Sequence, residues 1–193
     1  MGMARIAIVD SQKLSSEVVN IQNDIKELFG VDFVPNFFKV LSNNEDVLSG
    51  LYLMNKKLLH EGKLPNSLKE MIFLTLALRL KCNYCASIHY AKLHDLDIGE
   101  AEDLVTDISL IKNLLVRKVL LFSIKVMESP RGVTDVDIKE LEKVGLSKAE
   151  IIEAIAVASF SSSIVKTSLA LKVQTDDEIK EYLEGKNIEL KVA

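Results

Sequence analysis

The chain holds two cysteines, and they stand together as Cys82 and Cys85 in the run Cys-Asn-Tyr-Cys. His89 follows four residues after Cys85. On a helix turning about 100° per residue, Cys82, Cys85 and His89 fall near 0°, 300° and 340°, one narrow face. Two thiols so placed can close a disulfide, and one thiolate can be stabilised there. An imidazole at this spacing meets the preceding thiol. It can take the thiol proton and return it to a leaving group. The same pair is also compatible with half of a zinc site or with two small residues in a core helix. Zinc is disfavoured, because no second C-x-x-C and no H-x-x-x-H occurs. Cys82, Cys85 and His89 would supply three ligands and leave one position open.

Glu70 lies twelve residues before Cys82. Locally it reads as the third helical residue of a Ser67-x-x-Glu70 capping box. In one unbroken helix Glu70 and His89 would be about 28 Å apart. They can meet only if the chain turns back near Leu80 to Asn83, in a helical hairpin. Such a turn would put the cysteines on the first turn of the second helix, where the helix dipole lowers a thiol pKa. Asn83 is the one turn former there. His60 and His94 stand alone and read as structural or exposed, and Tyr84 and Tyr90 as core packing.

The elements that must position these groups read as helices. Val18, Ile21, Ile25, Leu28 and Phe29 recur at helical spacing, as do Leu48 to Leu59 and Leu114 to Val126. Thr134-x-x-Asp137 and Ser147-x-x-Glu150 are further capping boxes. The three prolines and eight glycines fall between these segments. The fold class is therefore all-α, with roughly eight to ten helices on short loops. Only Ile6–Val9 and Ile188–Val192 read as short strands. Gly62-Lys-Leu64 and Gly145-Leu146 open helices in the same way, which suggests two degenerate helical repeats, only the first with cysteines. The expected division is an N-terminal helical extension, residues 1–27, and one helical domain, residues 28–193. The amphipathic segment of the extension is a candidate for packing on a neighbouring subunit.

Composition narrows the partners. With 24 Lys plus Arg against 28 Asp plus Glu, net charge is −4, and no basic stripe offers a nucleic-acid surface. There is no Trp and aromatics are 6%, which disfavours stacking platforms for single strands. The charge-free runs Met71–Leu78 and Ala154–Val165 span eight and twelve residues, short of the roughly 20 that cross a bilayer. No membrane association and a cytoplasmic location are expected. The 48% hydrophobic share suggests buried subunit contacts.

Glu70, eleven residues, Cys82-Asn-Tyr-Cys85, three residues and His89 resemble the signature of alkylhydroperoxidase D-like proteins of the carboxymuconolactone decarboxylase superfamily. Gly30-Val-Asp-Phe-Val-Pro35-Asn36, Leu64 with Lys69-Glu70, and Ile98-Gly99-Glu100 are similar to the flanks. The resemblance covers roughly residues 28–175. It implies an all-helical fold, self-association as trimers or hexamers, and reduction of hydroperoxides by thiols. By that resemblance Cys85 is the peroxidatic thiol, Cys82 the resolving thiol, His89 the acid and base, and Glu70 its orienting carboxylate. No haem, flavin or metal cofactor is implied. The electron donor is unidentified, with a lipoyl-carrying or other dithiol protein as the kind implied. Tyr84 stands where the best-known members carry a histidine, which removes one member of the relay. Ser159–Ser163 and Lys166 stand where other members carry an Asn and a basic residue. The Tyr84 departure motivates an alternative, a dithiol–disulfide oxidoreductase or redox sensor with weak peroxidase activity. A lactone decarboxylase and a non-enzymatic assembly module are further readings.

Overall fold

The computed structural model describes residues 4–190 and 192. Its helices are α1 (Ser16–Phe29), α2 (Asn36–Leu41), α3 (Glu45–Asn55), α4 (Asn66–Arg79), α5 (Asn83–Asp95), α6 (Glu100–Thr106), α7 (Leu114–Glu128), α8 (Asp135–Lys143), α9 (Lys148–Leu171) and α10 (Asp177–Gly185). A π-helical turn, Lys56–His60, extends α3. No strand forms among the described residues. Ile6–Val9 and the described part of Ile188–Val192 stay irregular, because neither finds a partner and an isolated strand has no ladder to complete.

α4 is the central element, packed between α5, α7 and α9. Its residues Leu68 to Ala77 are all buried, the pattern of a helix surrounded by its neighbours. Burying Lys69 requires a counter-charge. Its ammonium lies 2.6 Å from Glu153 Oε1 on α9 and donates to the Glu61 carbonyl. Glu153 Oε2 also accepts the backbone N–H groups of Lys63, at 2.8 Å, and Leu64, at 3.2 Å. One carboxylate thus ties α9 to the entry of α4. Gly62 is needed beside it, since φ is +103° and a Cβ would stand 2.2 Å from Glu153 Oε1.

The capping boxes form at Thr134–Asp137 and Ser147–Glu150 but not at Ser67–Glu70. Pro65 occupies the N-cap of α4 with no side-chain cap bond. The helix begins at Asn66, so Ser67 is already inside it and Glu70 is carried round towards α5.

α4 leads into α5 through Leu80, Lys81 and Cys82. Lys81 is left-handed, with φ 57°, and the Cys82 N–H reaches back to the Ala77 carbonyl at 2.9 Å. This is a Schellman-type ending made without glycine. Asn83 is the first residue of α5.

α1 buries Val18, Ile21 and Ile25 and packs on α3. Its apolar stripe is thus buried within its own chain. α9, with 24 residues, is long and apolar enough by composition to cross a membrane, although its charge-free run is too short. Half of that apolar window is buried inside the protein, where α9 packs on α4 and α7.

Candidate active site

Cys82 is the N-cap of α5, Cys85 lies on its first turn, and His89 follows one turn later. Glu70 reaches them from α4. Its Oε2 lies 2.6 Å from His89 Nδ1 and its Oε1 2.5 Å from Lys92 Nζ. Burial alone would raise the Glu70 pKa. The charges and hydrogen bonds of His89 and Lys92 outweigh it and hold the carboxylate at about 2. An ionised Glu70 can only accept, so His89 Nδ1 carries the proton of that bond and Nε2 is left as the acceptor. The imidazole is stacked on Phe73, with centroids 3.9 Å apart and planes at 17°. Its orientation is therefore fixed from two sides.

Both cysteines are reduced and buried. A hydrogen bond between the two thiols brings Cys82 down to about 7. Burial opposes the shift, while the backbone N–H groups of Cys85 and Tyr84 assist it. The open end of a helix stabilises a thiolate in this way. Its bond to Cys82, with burial and the Cys82 charge, pushes Cys85 well above the ordinary thiol value. Ser168 of α9 stands 3.6 Å from the Cys85 sulfur and pulls the other way. Of the two thiols, Cys82 is the more acidic.

A cavity of about 370 Å³ borders Cys85, His89, Glu70 and Lys92. Cys82 is not part of its wall. Most of the wall is apolar, and α10 closes one side with Ile179 and Tyr182. The Tyr84 hydroxyl accepts the Phe37 N–H at 3.0 Å, fixing the start of α2 to α5. His60 also lines the cavity, stacked on Phe29 at 5.3 Å. Burial, then the Lys92 charge, lowers His60 to about 4, which leaves it neutral at neutral pH. His94 lies away from the thiols and pairs with the Tyr182 hydroxyl at 2.9 Å. Lys166 is exposed on α9.

The fold therefore joins Glu70 to His89 and places His89 and Cys85 on one cavity. Among the described residues no group of three His, Cys, Asp or Glu side chains is arranged to hold a metal ion. Three further residues belong to the site. Lys92 follows His89 by three residues, so helical spacing does signal it. Ser168 and Asp176 come from far along the chain, with no local signal. Asp176 Oδ1 accepts the Asn36 N–H at 2.6 Å, while its Oδ2 is buried without a partner.

The sequence matches no protein-family model and no curated protein. Its backbone is similar to solved structures over nearly its whole length. One is an alkylhydroperoxidase AhpD core, a peroxidase-related protein from Ralstonia eutropha JMP134. It has a TM-score of 0.84 at 20% identity and covers 95% of this chain and 96% of that one. A peroxidase-related protein from Silicibacter sp. TM1040 gives 0.80 at 23% identity, covering 91% and 92%. The debrominase Bmp8, in complex with 2,3,4-tribromopyrrole, gives 0.73 at 16% identity, covering 94% and 96%. The chain has the all-α fold of these alkylhydroperoxidase D core and peroxidase-related structures. The debrominase shows that this fold carries more than one chemistry, so activity must be argued from the site.

Proposed function

We propose that the protein is a cysteine peroxidase that reduces organic hydroperoxides through a Cys82/Cys85 dithiol–disulfide cycle. The observation that carries this reading is the Glu70–His89 pair at 2.6 Å, set on the same cavity as Cys85. Cys85 is the sulfur that a substrate in the cavity meets. Its thiol proton passes to His89 Nε2, and the thiolate attacks the peroxide oxygen nearer the proton. The O–O bond breaks, His89 returns the proton to the departing alkoxide, and an alcohol and a Cys85 sulfenic acid result. Cys82, the more acidic thiol, gives up its proton and attacks that sulfur. Its S–S bond replaces the S–OH bond, and the hydroxide leaves as water with the proton that Cys82 gave up. Glu70 stabilises the imidazolium formed in between, and Lys92 keeps Glu70 ionised. An external dithiol, a lipoyl-carrying or other dithiol protein, then reduces the disulfide. Self-association in a cytoplasmic setting belongs to the same reading.

One observation favours a second reading. Cys82, the more acidic thiol, stands at the N-cap of α5, an arrangement suited to thiol–disulfide exchange. Steady-state turnover with an organic hydroperoxide and a dithiol reductant tests the first against the second. The proposal expects turnover that Cys85→Ser abolishes. Exchange with protein disulfides and no hydroperoxide turnover selects the second.

A further inference from the structure

Aromatic residues make up only 6% of the chain, with seven phenylalanines. Six of those seven, Phe29, Phe33, Phe37, Phe38, Phe73 and Phe160, line the one cavity that holds Cys85. They arrive from the end of α1, the loop before α2, α2 itself, α4 and α9. General core packing would scatter them, as it does the seventh, Phe122.

Their rings are set at angles to one another. Phe29 and Phe38 lie 5.8 Å apart at 60°, Phe37 and Phe38 5.4 Å at 77°, and Phe73 and Phe160 6.4 Å at 88°. Rings so arranged offer both edges and faces to a further ring. The wall runs on to the proton relay, since Phe73 stacks on His89. At the outer end His60 is stacked on Phe29 and adds a neutral ring.

Size and charge narrow the occupant. An apolar cavity of about 150 Å³ already holds a benzene ring, and this one is about 370 Å³. Hydrogen peroxide would leave most of it empty and would exchange its hydration for apolar walls. The exposed acids bordering the cavity, Asp95 and Glu178, repel an anionic substrate. Lys92, the cation beside them, is committed to Glu70.

We infer that the ligand of this cavity is an uncharged aryl-bearing hydroperoxide, its ring held among the phenylalanines and its peroxide arm directed at Cys85. The inference rests on the peroxidase reading of the same site. It adds a substrate class to that reading, and the ring-binding part is tested without chemistry.

Two measurements on the reduced protein test it. The first compares the rate of thiol loss with cumene hydroperoxide, tert-butyl hydroperoxide, linoleic acid hydroperoxide and hydrogen peroxide. Cumene hydroperoxide is expected to exceed each of the others by at least about tenfold, the discrimination an apolar pocket gives for added apolar groups. The second titrates the unreactive product 2-phenyl-2-propanol by nuclear magnetic resonance, with tert-butanol as control. The aryl alcohol is expected to bind and shift phenylalanine resonances. Phe33→Ala at the half-buried rim is expected to weaken it by about fivefold, the value of a lost ring contact. Ile179→Phe, which narrows the cavity mouth, is a second variant expected to weaken it.

Equal rates for cumene and tert-butyl hydroperoxide, or aryl alcohol binding no tighter than tert-butanol, would overturn the inference. Aryl alcohol binding with no thiol oxidation by any hydroperoxide would overturn the peroxidase reading and leave the aromatic site standing.

Discussion

Glu70 Oε2 and His89 Nδ1 lie 2.6 Å apart although the residues are separated by 19 positions on two different helices. Glu70 is the buried partner, with 2% of its side chain exposed against 13% for the imidazole. A carboxylate buried to that degree persists only with its partners in place. Glu70→Gln removes the anion and leaves the Lys92 ammonium and the His89 Nδ1–H facing an amide. We expect a stability loss near the low end of the ~3–5 kcal/mol for breaking a buried pair, because Lys92 can turn to solvent. Hydroperoxide turnover should fall with it, and more steeply than KM changes. Denaturant melts beside steady-state kinetics check both.

The same pair sets an acid limb. Glu70 sits at about 2 in the folded protein against an ordinary 4.5. A depressed carboxylate contributes stability above its unfolded pKa and loses it as pH falls towards the folded one. The wild-type melting temperature should therefore drop between pH 4.5 and 2, with a shallower drop in Glu70→Gln across that window.

Cys82 should ionise near neutrality, at about 7. Thiolate absorbance in the ultraviolet should rise through that pH in the reduced protein. Cys82→Ser should lose this step. Cys85, no longer held up by its bond to Cys82 and the Cys82 charge, should then titrate lower than in the wild type, with burial still raising it.

Asp176 carries the opposite sign. Burial lifts it from 3.8 to about 6, partly offset by the Asn36 N–H and the Lys39 charge. A carboxyl raised on folding favours the native state below its unfolded pKa and costs stability as pH rises through the folded value. Asp176→Asn keeps an acceptor for the Asn36 N–H and removes the buried charge. It should raise the melting temperature at pH 8, by up to about 3 kcal/mol in stability. At pH 4 the difference should shrink. Equal melting shifts at both pH values would contradict it.

Lys81 holds a left-handed φ of 57° between α4 and α5. Such a conformation strains a residue with a Cβ. Lys81→Gly should stabilise the protein by about 0.5–1 kcal/mol, read from denaturant midpoints.

Much of the site was legible because its spacing is local. Cys85 and His89 share one helix, and the helical period alone puts them on one face, with Cys82 as the N-cap. The capping boxes at Thr134 and Ser147 were legible for the same reason. Ser67–Glu70 misled because two rules compete at that point, and Pro65 started the helix earlier. The turn at Lys81 was illegible, since lysine carries no turn signature and tertiary packing imposes the conformation. Ser168 and Asp176 lie 83 and 91 positions from Cys85, and no period links residues that meet only on folding. The strands read at both ends failed because alternation cannot supply a pairing partner.

The most direct test of the account adds one equivalent of an organic hydroperoxide to fully reduced protein and follows both thiols by mass spectrometry. The account predicts loss of Cys82 and Cys85 together as one intramolecular disulfide, reversed by a dithiol reductant. In Cys82→Ser a sulfenic acid should be trapped on Cys85, and Cys85→Ser should not react. Thiols that stay free in the wild-type protein, or a sulfenic acid on Cys82 instead, would contradict it.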